Sequence, residues 1–421
     1  MKDIKKSIYK IITAGGSGTG FKVAGHDFMI TNYHVVEGSK TVAVEDHKMN
    51  RYLANVVMVN PDVDLAFLQV KALESKPGII KLDDAKQVEN MQKVYINGFP
   101  FGMPFTVTEG IISSVSQPMN GREYVQTDAA VNPGNSGGPM LDKDGCLVAV
   151  TTSKFTKADN VGFGIKFTDV IKEINDYKFT DDQYRLKCNS CDNYIEAETE
   201  FCPHCGANIN PAVFEEFEKS HFAVFTEDAL QEIGQNPVLC RAGRDYWEFH
   251  QGSALVRIFT MNDNNYLYAI SPLNQLPKAN LDDLLTYINS NPIPPYQLAI
   301  FKNKIFISYR THLSDIYSGR KVEIKKYLMD LVLKADELDD FFKNEFGCKM
   351  SLESKQVDDK AVEAIKYEAT AVEALVEDKQ VVSRQAADMF DRFRKLKKLF
   401  EMALITEAEY HEKKMKLLEL L

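Results

Sequence analysis

The segment Asn132-Pro133-Gly134-Asn135-Ser136-Gly137-Gly138-Pro139 constrains this chain more than any other. Its serine lies between glycines, and no helical periodicity follows it, so the segment reads as a loop. Glycines leave room for a carbonyl group to approach the Ser136 hydroxyl, and the backbone N–H groups of Gly134 and Ser136 can point at a developing oxyanion. Serine is a poor nucleophile at neutral pH. It needs an imidazole to take its proton and a carboxylate to fix that imidazole.

Both residue types occur upstream. His34 stands in Thr31-Asn32-Tyr33-His34-Val35-Val36, after the apolar run Phe28-Met29-Ile30, and Asp64 opens the alternating run Leu65-Phe67-Gln69. Each is expected at a strand end, from which side chains can converge on one cleft. His26 and His47 are read as structural histidines and Asp62 as a turn residue. Gly134-x-Ser136-x-Gly138 also spells the nucleophile elbow of α/β-hydrolases, which requires a strand-to-helix turn and a later histidine. Pro139 and the turn Asp142-Lys143-Asp144-Gly145 give a hairpin instead, and the next histidine, His204, falls inside a cysteine motif.

Several further segments, in order, carry a family likeness. Gly16-Ser17-Gly18-Thr19-Gly20-Phe21, the His34 segment, Asp64-Leu65-Ala66-Phe67-Leu68, Asn97-Gly98-Phe99-Pro100-Phe101-Gly102, and the run from Gln126 through Ser136 to Pro139 resemble the HtrA/Deg family of trypsin-like proteases. The resemblance implies an all-β double-barrel protease over residues 1–177, with His34 as general base, Asp64 as its orienter and Ser136 as nucleophile. Gly134, Asn135 and Ser136 would form the oxyanion loop through their backbone. Ala130, Val161, Gly162, Phe163 and Gly164 would wall the specificity pocket. Lys166 stands where relatives usually have proline, and Ala130 brings no charge to the pocket base, so an aliphatic or small residue before the cut is expected. Protein or peptide substrates are implied, and catalysis needs no cofactor.

Four of the seven cysteines form Cys188-x-x-Cys191 and Cys202-x-x-Cys205. Two matched turns of this kind aim four thiolates at one tetrahedral centre, so residues 185–209 are expected to form a zinc ribbon holding one structural zinc. His204 is read as a bystander. A redox pair fits the spacing less well. The flanking acids Asp181, Asp182, Asp192, Glu196, Glu198 and Glu200 repel phosphate, so a metal-stapled module that separates the protease from the C-terminal half of the chain is favoured over nucleic-acid binding. With 50 Lys plus Arg against 60 Asp plus Glu, a formal charge of −10 agrees. An odd cysteine count, the lack of a signal-peptide core after Met1 and the lack of a membrane-length apolar run give a cytoplasmic expectation.

From 211 to 348 the period changes. Alternating runs 246–249, 254–259, 266–270, 297–301 and 305–309 are interleaved with helical stretches near 226–234, 281–289 and 322–342. That pattern predicts an α+β domain on an antiparallel sheet. Trp247-x-Phe249, Ser271-Pro272-Leu273 and Ser308-Tyr309-Arg310 resemble YbjN-like domains, whose fold is that of type III secretion chaperones; the resemblance implies a protein-binding role. Trp247, Phe249 and Tyr309 are expected in the core and Arg310 on the surface. Residues 349–388 read as linker and helix. Residues 389–421 resemble a SHOCT-like helical hairpin whose exposed apolar faces point to oligomerisation or docking.

Overall fold

The computed structural model describes residues 3–83, 85, 87–152, 161–261 and 265–351. All of these fall in one compact unit, Met1–Lys355. The expected linker helix and terminal hairpin at 352–421 lie outside the described residues.

Short apolar strands build the first barrel. Strands β1 (Ile8–Thr13), β2 (Gly16–Lys22), β3 (Phe28–Thr31), β4 (Thr41–Glu45), β5 (Arg51–Asn60) and β6 (Leu65–Gln69) run in the order β5-β4-β1-β2-β3-β6, and a further β5–β6 pairing closes them. All four residues of β3 are buried, as a strand covered on both faces requires. A four-residue helical turn, α1 (Tyr33–Val36), leaves β3 and carries His34.

A second closed barrel comes next, in the order β10-β11-β12-β9-β8-β7. Its strands are β7 (Lys93–Gly98), β8 (Thr106–Met119), β9 (Arg122–Thr127), β10 (Pro139–Leu141), β11 (Leu147–Thr152) and β12 (Gly162–Lys166). β10 and β11 form the hairpin expected after Ser136, and the element directly after the serine is a strand, which removes the hydrolase elbow. Helix α2 (Phe167–Asp176) then returns to the first barrel. There Phe28, Phe67 and Tyr177 pack ring on ring, with Phe28 stacked on Phe67 at 4.4 Å and both edge-on to Tyr177.

The cysteine module does not separate the protease from the rest of the chain, contrary to expectation. Its strand β13 (Leu186–Lys187) lies parallel to β5, with Leu186 opposite Val59, and β14 (Tyr194–Ile195) extends the same sheet. Leu186, Cys188, Ile195 and Cys202 share a core with Val56, Val59 and Leu68 of the first barrel. A module this small completes its core by borrowing a barrel strand.

A further sheet lies beyond the cysteine module. A seven-stranded antiparallel sheet contains β15 (Arg241–Gly243), β16 (Tyr246–Gln251), β17 (Ala254–Met261), β18 (Tyr266–Gln275), β19 (Gln297–Phe301), β20 (Lys304–His312) and β21 (Lys349–Met350). Helix α3 (His221–Glu232) begins ahead of its apolar pattern because the Ser220 hydroxyl caps it, accepting from Ala223 N at 3.0 Å. The short α4 (Pro237–Cys240) and α5 (Leu281–Asn289) come after it, and α6 (Lys321–Phe346) covers the sheet. Trp247, Phe249 and Tyr309 are buried in that core, while Arg310 is exposed with its guanidinium over the Tyr266 ring.

Within α6, Asp339 is fully buried. It accepts from the Ser253 hydroxyl at 3.3 Å, and its Oδ1 has no partner among the described residues. Burial pushes its carboxyl from 3.8 up to about 7; the Ser253 hydrogen bond opposes that rise, and Asp336 and Asp340 add to it. An acid whose pKa is raised by folding stabilises the fold below 3.8 and loses that contribution as pH rises through about 7. Denaturant titrations should therefore show unfolding free energy declining across this window. Asp339→Asn should flatten the decline, and an unchanged slope would remove the assignment.

Candidate active site

Asp64 sits in the turn between β5 and β6 with φ 62°, a left-handed conformation open to Asp but costly to most residues. This backbone aims its carboxylate at α1. His34 Nδ1 lies 2.8 Å from Asp64 Oδ2 and 3.0 Å from Oδ1, and the His34 backbone N–H donates to Oδ1 at 3.0 Å. The Asp64 carbonyl accepts from the Asn32 side chain at 2.9 Å and from Tyr33 N at 3.2 Å. Asp64 is nearly enclosed, at 5 % side-chain exposure, whereas His34 is open at 29 %. A buried carboxylate under an accessible imidazole is what a general base requires: one nitrogen is fixed and the other faces the cleft.

Ser136 is reached from the second barrel. Its carbonyl accepts from Thr19 N at 2.8 Å, and the next residue, Gly137, donates to Thr151 O at 2.9 Å. A Cβ on Gly18 would stand 2.6 Å from Val35 Cγ1 and 3.2 Å from Ser136 O, so the residue after His34 and the Ser136 carbonyl meet around one glycine. Thr152, adjacent to Thr151, donates its hydroxyl to Asp64 Oδ2 at 3.3 Å. The chain thus draws His34, Asp64 and Ser136 to one seam between the barrels.

The loop before the serine is held at each carbonyl. Phe101 N donates to Pro133 O at 2.6 Å and Thr19 Oγ1 to Gly134 O at 2.7 Å. Among the described residues the Gly134 N–H has no acceptor, which leaves it available to an incoming oxyanion. Gly134 has φ 98°, and a Cβ there would lie 2.3 Å from Phe99 O, so only glycine fits. Asn135 departs from expectation. Its N–H donates to Asn132 O at 2.9 Å within the turn, so it shapes the loop and offers no proton to the hole.

The expected pocket residues divide. Gly162 lies in β12, and a Cβ on it would be 2.4 Å from Val131 Cγ2, so Val131 closes the space in front of it. Phe163 turns into the core with Tyr124 and Val150, and Val161 packs at that core's margin; the Phe163 side chain therefore does not line the pocket. Gly164 lies under Ala149 and Met140. Ala130 is exposed and its carbonyl accepts from Thr108 Oγ1 at 3.0 Å. Lys166 is turned away, bonded to Ser116 Oγ at 2.9 Å and paired with Glu123, whose carboxyl it holds below the usual range. Asp62 pairs with Arg122, and His26 tilts on Phe28 at 5.2 Å, so both keep the structural roles read for them. The sequence does not single out Thr19, Thr152 or the Phe101 amide. Thr152 carries one signal: it is a hydroxyl ending the strand that completes the serine hairpin.

The four cysteine sulfurs lie within 4.8 Å of one another, with Cys188–Cys205 at 3.8 Å and Cys191–Cys202 at 3.7 Å. Four sulfurs about 2.3 Å from one tetrahedral ion stand about 3.8 Å apart, so the set fits zinc. Backbone turns shape both knuckles: Asp192 N donates to Cys188 O at 3.0 Å and Gly206 N to Cys202 O at 2.8 Å. The Asn193 side chain donates to the Cys191 sulfur at 3.4 Å, which favours the thiolate and lowers its pKa to about 6. His204 is absent from the cluster.

Residues 18–150 match the family model described as a trypsin-like peptidase domain. Over 154 residues the chain is 36% identical to a periplasmic serine endoprotease described as DegP-like from Marinomonas sp. (strain MWYL1), covering 36% of this chain and 32% of that protein. Over 191 residues it is 35% identical to Protease Do-like 1, chloroplastic, of Arabidopsis thaliana, covering 40% and 44%. The serine endoprotease from Yersinia pestis aligns at TM-score 0.38 with 24% identity, over 41% of this chain and 63% of that one. The matched family model falls within the two barrels, and the chain spans less than half the length of the two curated relatives.

Metal analysis of freshly purified protein should find about one zinc per chain. Cys191→Ser should lower that content and the stability of the β13–β14 region; full wild-type zinc in the variant would reject the cysteine set.

Proposed function

We propose that the chain is a serine endopeptidase acting on proteins or peptides, with Ser136 as nucleophile, His34 as general base and Asp64 as the orienting carboxylate. The observation that carries this is the enclosed Asp64 carboxylate on His34 Nδ1, joined through Thr152 and Thr151 to the Ser136 loop. Ser136 Oγ adds to the scissile carbonyl as His34 takes its proton. The Gly134 and Ser136 amides receive the oxyanion, and His34 returns the proton to the leaving amine. Water then repeats the sequence to release the acyl group. All of these steps use the chain's own groups. Val131 over Gly162 favours a small or aliphatic residue before the cut.

In this reading the cysteine module holds a structural zinc and the α+β domain brings a protein partner or substrate. The α+β sequence carries no metal-ligand set or phosphate loop, which leaves recruitment as its role. The location in this reading is reducing and cytoplasmic, because four thiols grouped to hold a metal must stay reduced. The segment 389–421 is proposed to oligomerise or dock. Among the described residues no helix is long and apolar enough to cross a membrane.

A fluorophosphonate probe should label wild-type protein and not Ser136→Ala. Asp64→Asn should keep the fold and lower kcat by about 10⁴, because the imidazole then holds the wrong tautomer. Equal labelling of wild type and Ser136→Ala would end the assignment.

A further inference from the structure

Lys10 is a half-buried cation in β1 whose Nζ donates to Gly102 O at 2.8 Å. Gly102 closes the short turn Pro100–Gly102, in which Phe101 has φ 54°. The Phe101 N–H in that turn holds the Pro133 carbonyl. Orientation of the Pro133–Gly134 peptide, and with it the Gly134 N–H, therefore depends on where the turn is held. Lys10 holds its far end from the first barrel, while Thr19 holds its start, accepting from Phe99 N at 3.2 Å.

A second series of contacts meets Lys10 from the other side. Glu45 stands directly opposite Lys10 across β1 and β4. Its carboxylate is taken by Arg51, with Nε to Oε2 at 2.8 Å. The same guanidinium donates through Nη1 to Leu239 O at 2.9 Å and to Arg241 O and Glu248 O at 3.2 Å, all in the α+β domain. Phe217 N, at the entrance to that domain, donates to Gly38 O just past α1 at 2.8 Å. The α+β domain is thus fastened to the barrel that presents the base.

We propose that Lys10 is a positioning residue for the oxyanion loop, and that docking of the α+β domain governs it through Arg51 and Glu45; this rests on the endopeptidase reading. While the domain is docked, Arg51 is oriented by three carbonyls and occupies Glu45, so the Lys10 ammonium stays on Gly102. Once Arg51 loses those carbonyls, Glu45 competes for the ammonium facing it across the strands. Lys10 then leaves Gly102, the Phe101 turn loosens, and the Gly134 amide loses its fixed direction. The α+β domain therefore acts as an activity control as well as a binding module, and a partner that shifts it alters turnover.

The test is a set of full-length variants assayed on an unfolded, dye-labelled protein. Lys10→Met should lower kcat about tenfold to a hundredfold with KM within about twofold, since an oxyanion donor is misaimed rather than removed. Lys10→Arg keeps a donor and should retain most turnover. Arg51→Met should also lose turnover, and Glu45→Gln added to it should restore it, because the competing carboxylate is gone. The near-ultraviolet signal of Trp247 reports whether the α+β domain stays folded in each variant. Unchanged kcat in Lys10→Met, or no rescue by Glu45→Gln, overturns the proposal while probe labelling leaves Ser136 as nucleophile. If wild type neither labels nor cleaves, the endopeptidase reading falls, and amide exchange at Phe101 decides for Lys10. Faster exchange in Lys10→Met supports the hold on the turn, and unchanged exchange refutes it.

Discussion

The bond between the Asp64 carboxylate and His34 Nδ1 is the contact on which the rest of the site depends. A carboxylate this enclosed must be fully hydrogen-bonded, and it is: it serves the His34 ring, the His34 amide and the Thr152 hydroxyl. Its backbone, in the left-handed region at a cost of about 1 kcal/mol or more, persists because its surroundings fix it. The Asn60 side chain is one such support. Its Oδ1 accepts from Val63 N at 3.3 Å, and its Nδ2 donates to Glu173 Oε1 at 3.2 Å.

Glu173 leads to the cysteine module. Lys187, fully buried next to Cys188, donates to Glu173 Oε1 at 3.1 Å and to Asp176 Oδ2 at 2.7 Å. Removing Lys187 would leave the Glu173 carboxylate buried without a cation, at a cost of about 3–5 kcal/mol. The module is therefore anchored beneath the 60–64 turn by ions as well as by the β13–β5 ladder, with Val59 N on Arg185 O at 2.9 Å. Arg185 adds a guanidinium over the Phe179 ring at 3.8 Å. A module expected to set the protease apart instead packs beneath the turn that presents Asp64.

The parts legible in the sequence were those encoded by local chemistry. Period-2 runs gave the strands of the α+β sheet, and helix α5 matches its expected span because its apolar period and limits are local. The segments carrying His34, Asp64 and Ser136 stand out in the sequence because each is a motif that fixes its own backbone. The features that escaped the sequence depend on long-range partners. Thr152 acts only because β11 brings it beside Asp64, and Phe101 acts through an amide that carries no side-chain signature. Phe163 belongs to a pocket by motif, but alternation along β12 turns its side chain to the core while the flanking glycines face Val131 and Met140. Likewise nothing local marks Lys187 as buried; β13 and its carboxylate partners enclose it.

These partners share a direction. The cysteine module joins β5, Arg51 of β5 holds the α+β domain, and Phe217 reaches the residues after α1, so all three bear on the barrel that carries His34 and Asp64. The serine-bearing barrel is engaged more sparingly, through Thr19 on the Ser136 and Gly134 carbonyls and through Lys10 on the Gly102 turn. Such a division suits the chemistry. In the proposed mechanism His34 and Asp64 must keep one tautomer through the whole cycle, so rigid support benefits them at every step. The oxyanion loop has to be correctly aimed only while charge develops on the substrate, so a single lysine hold is enough to set turnover and can be released without dismantling the base.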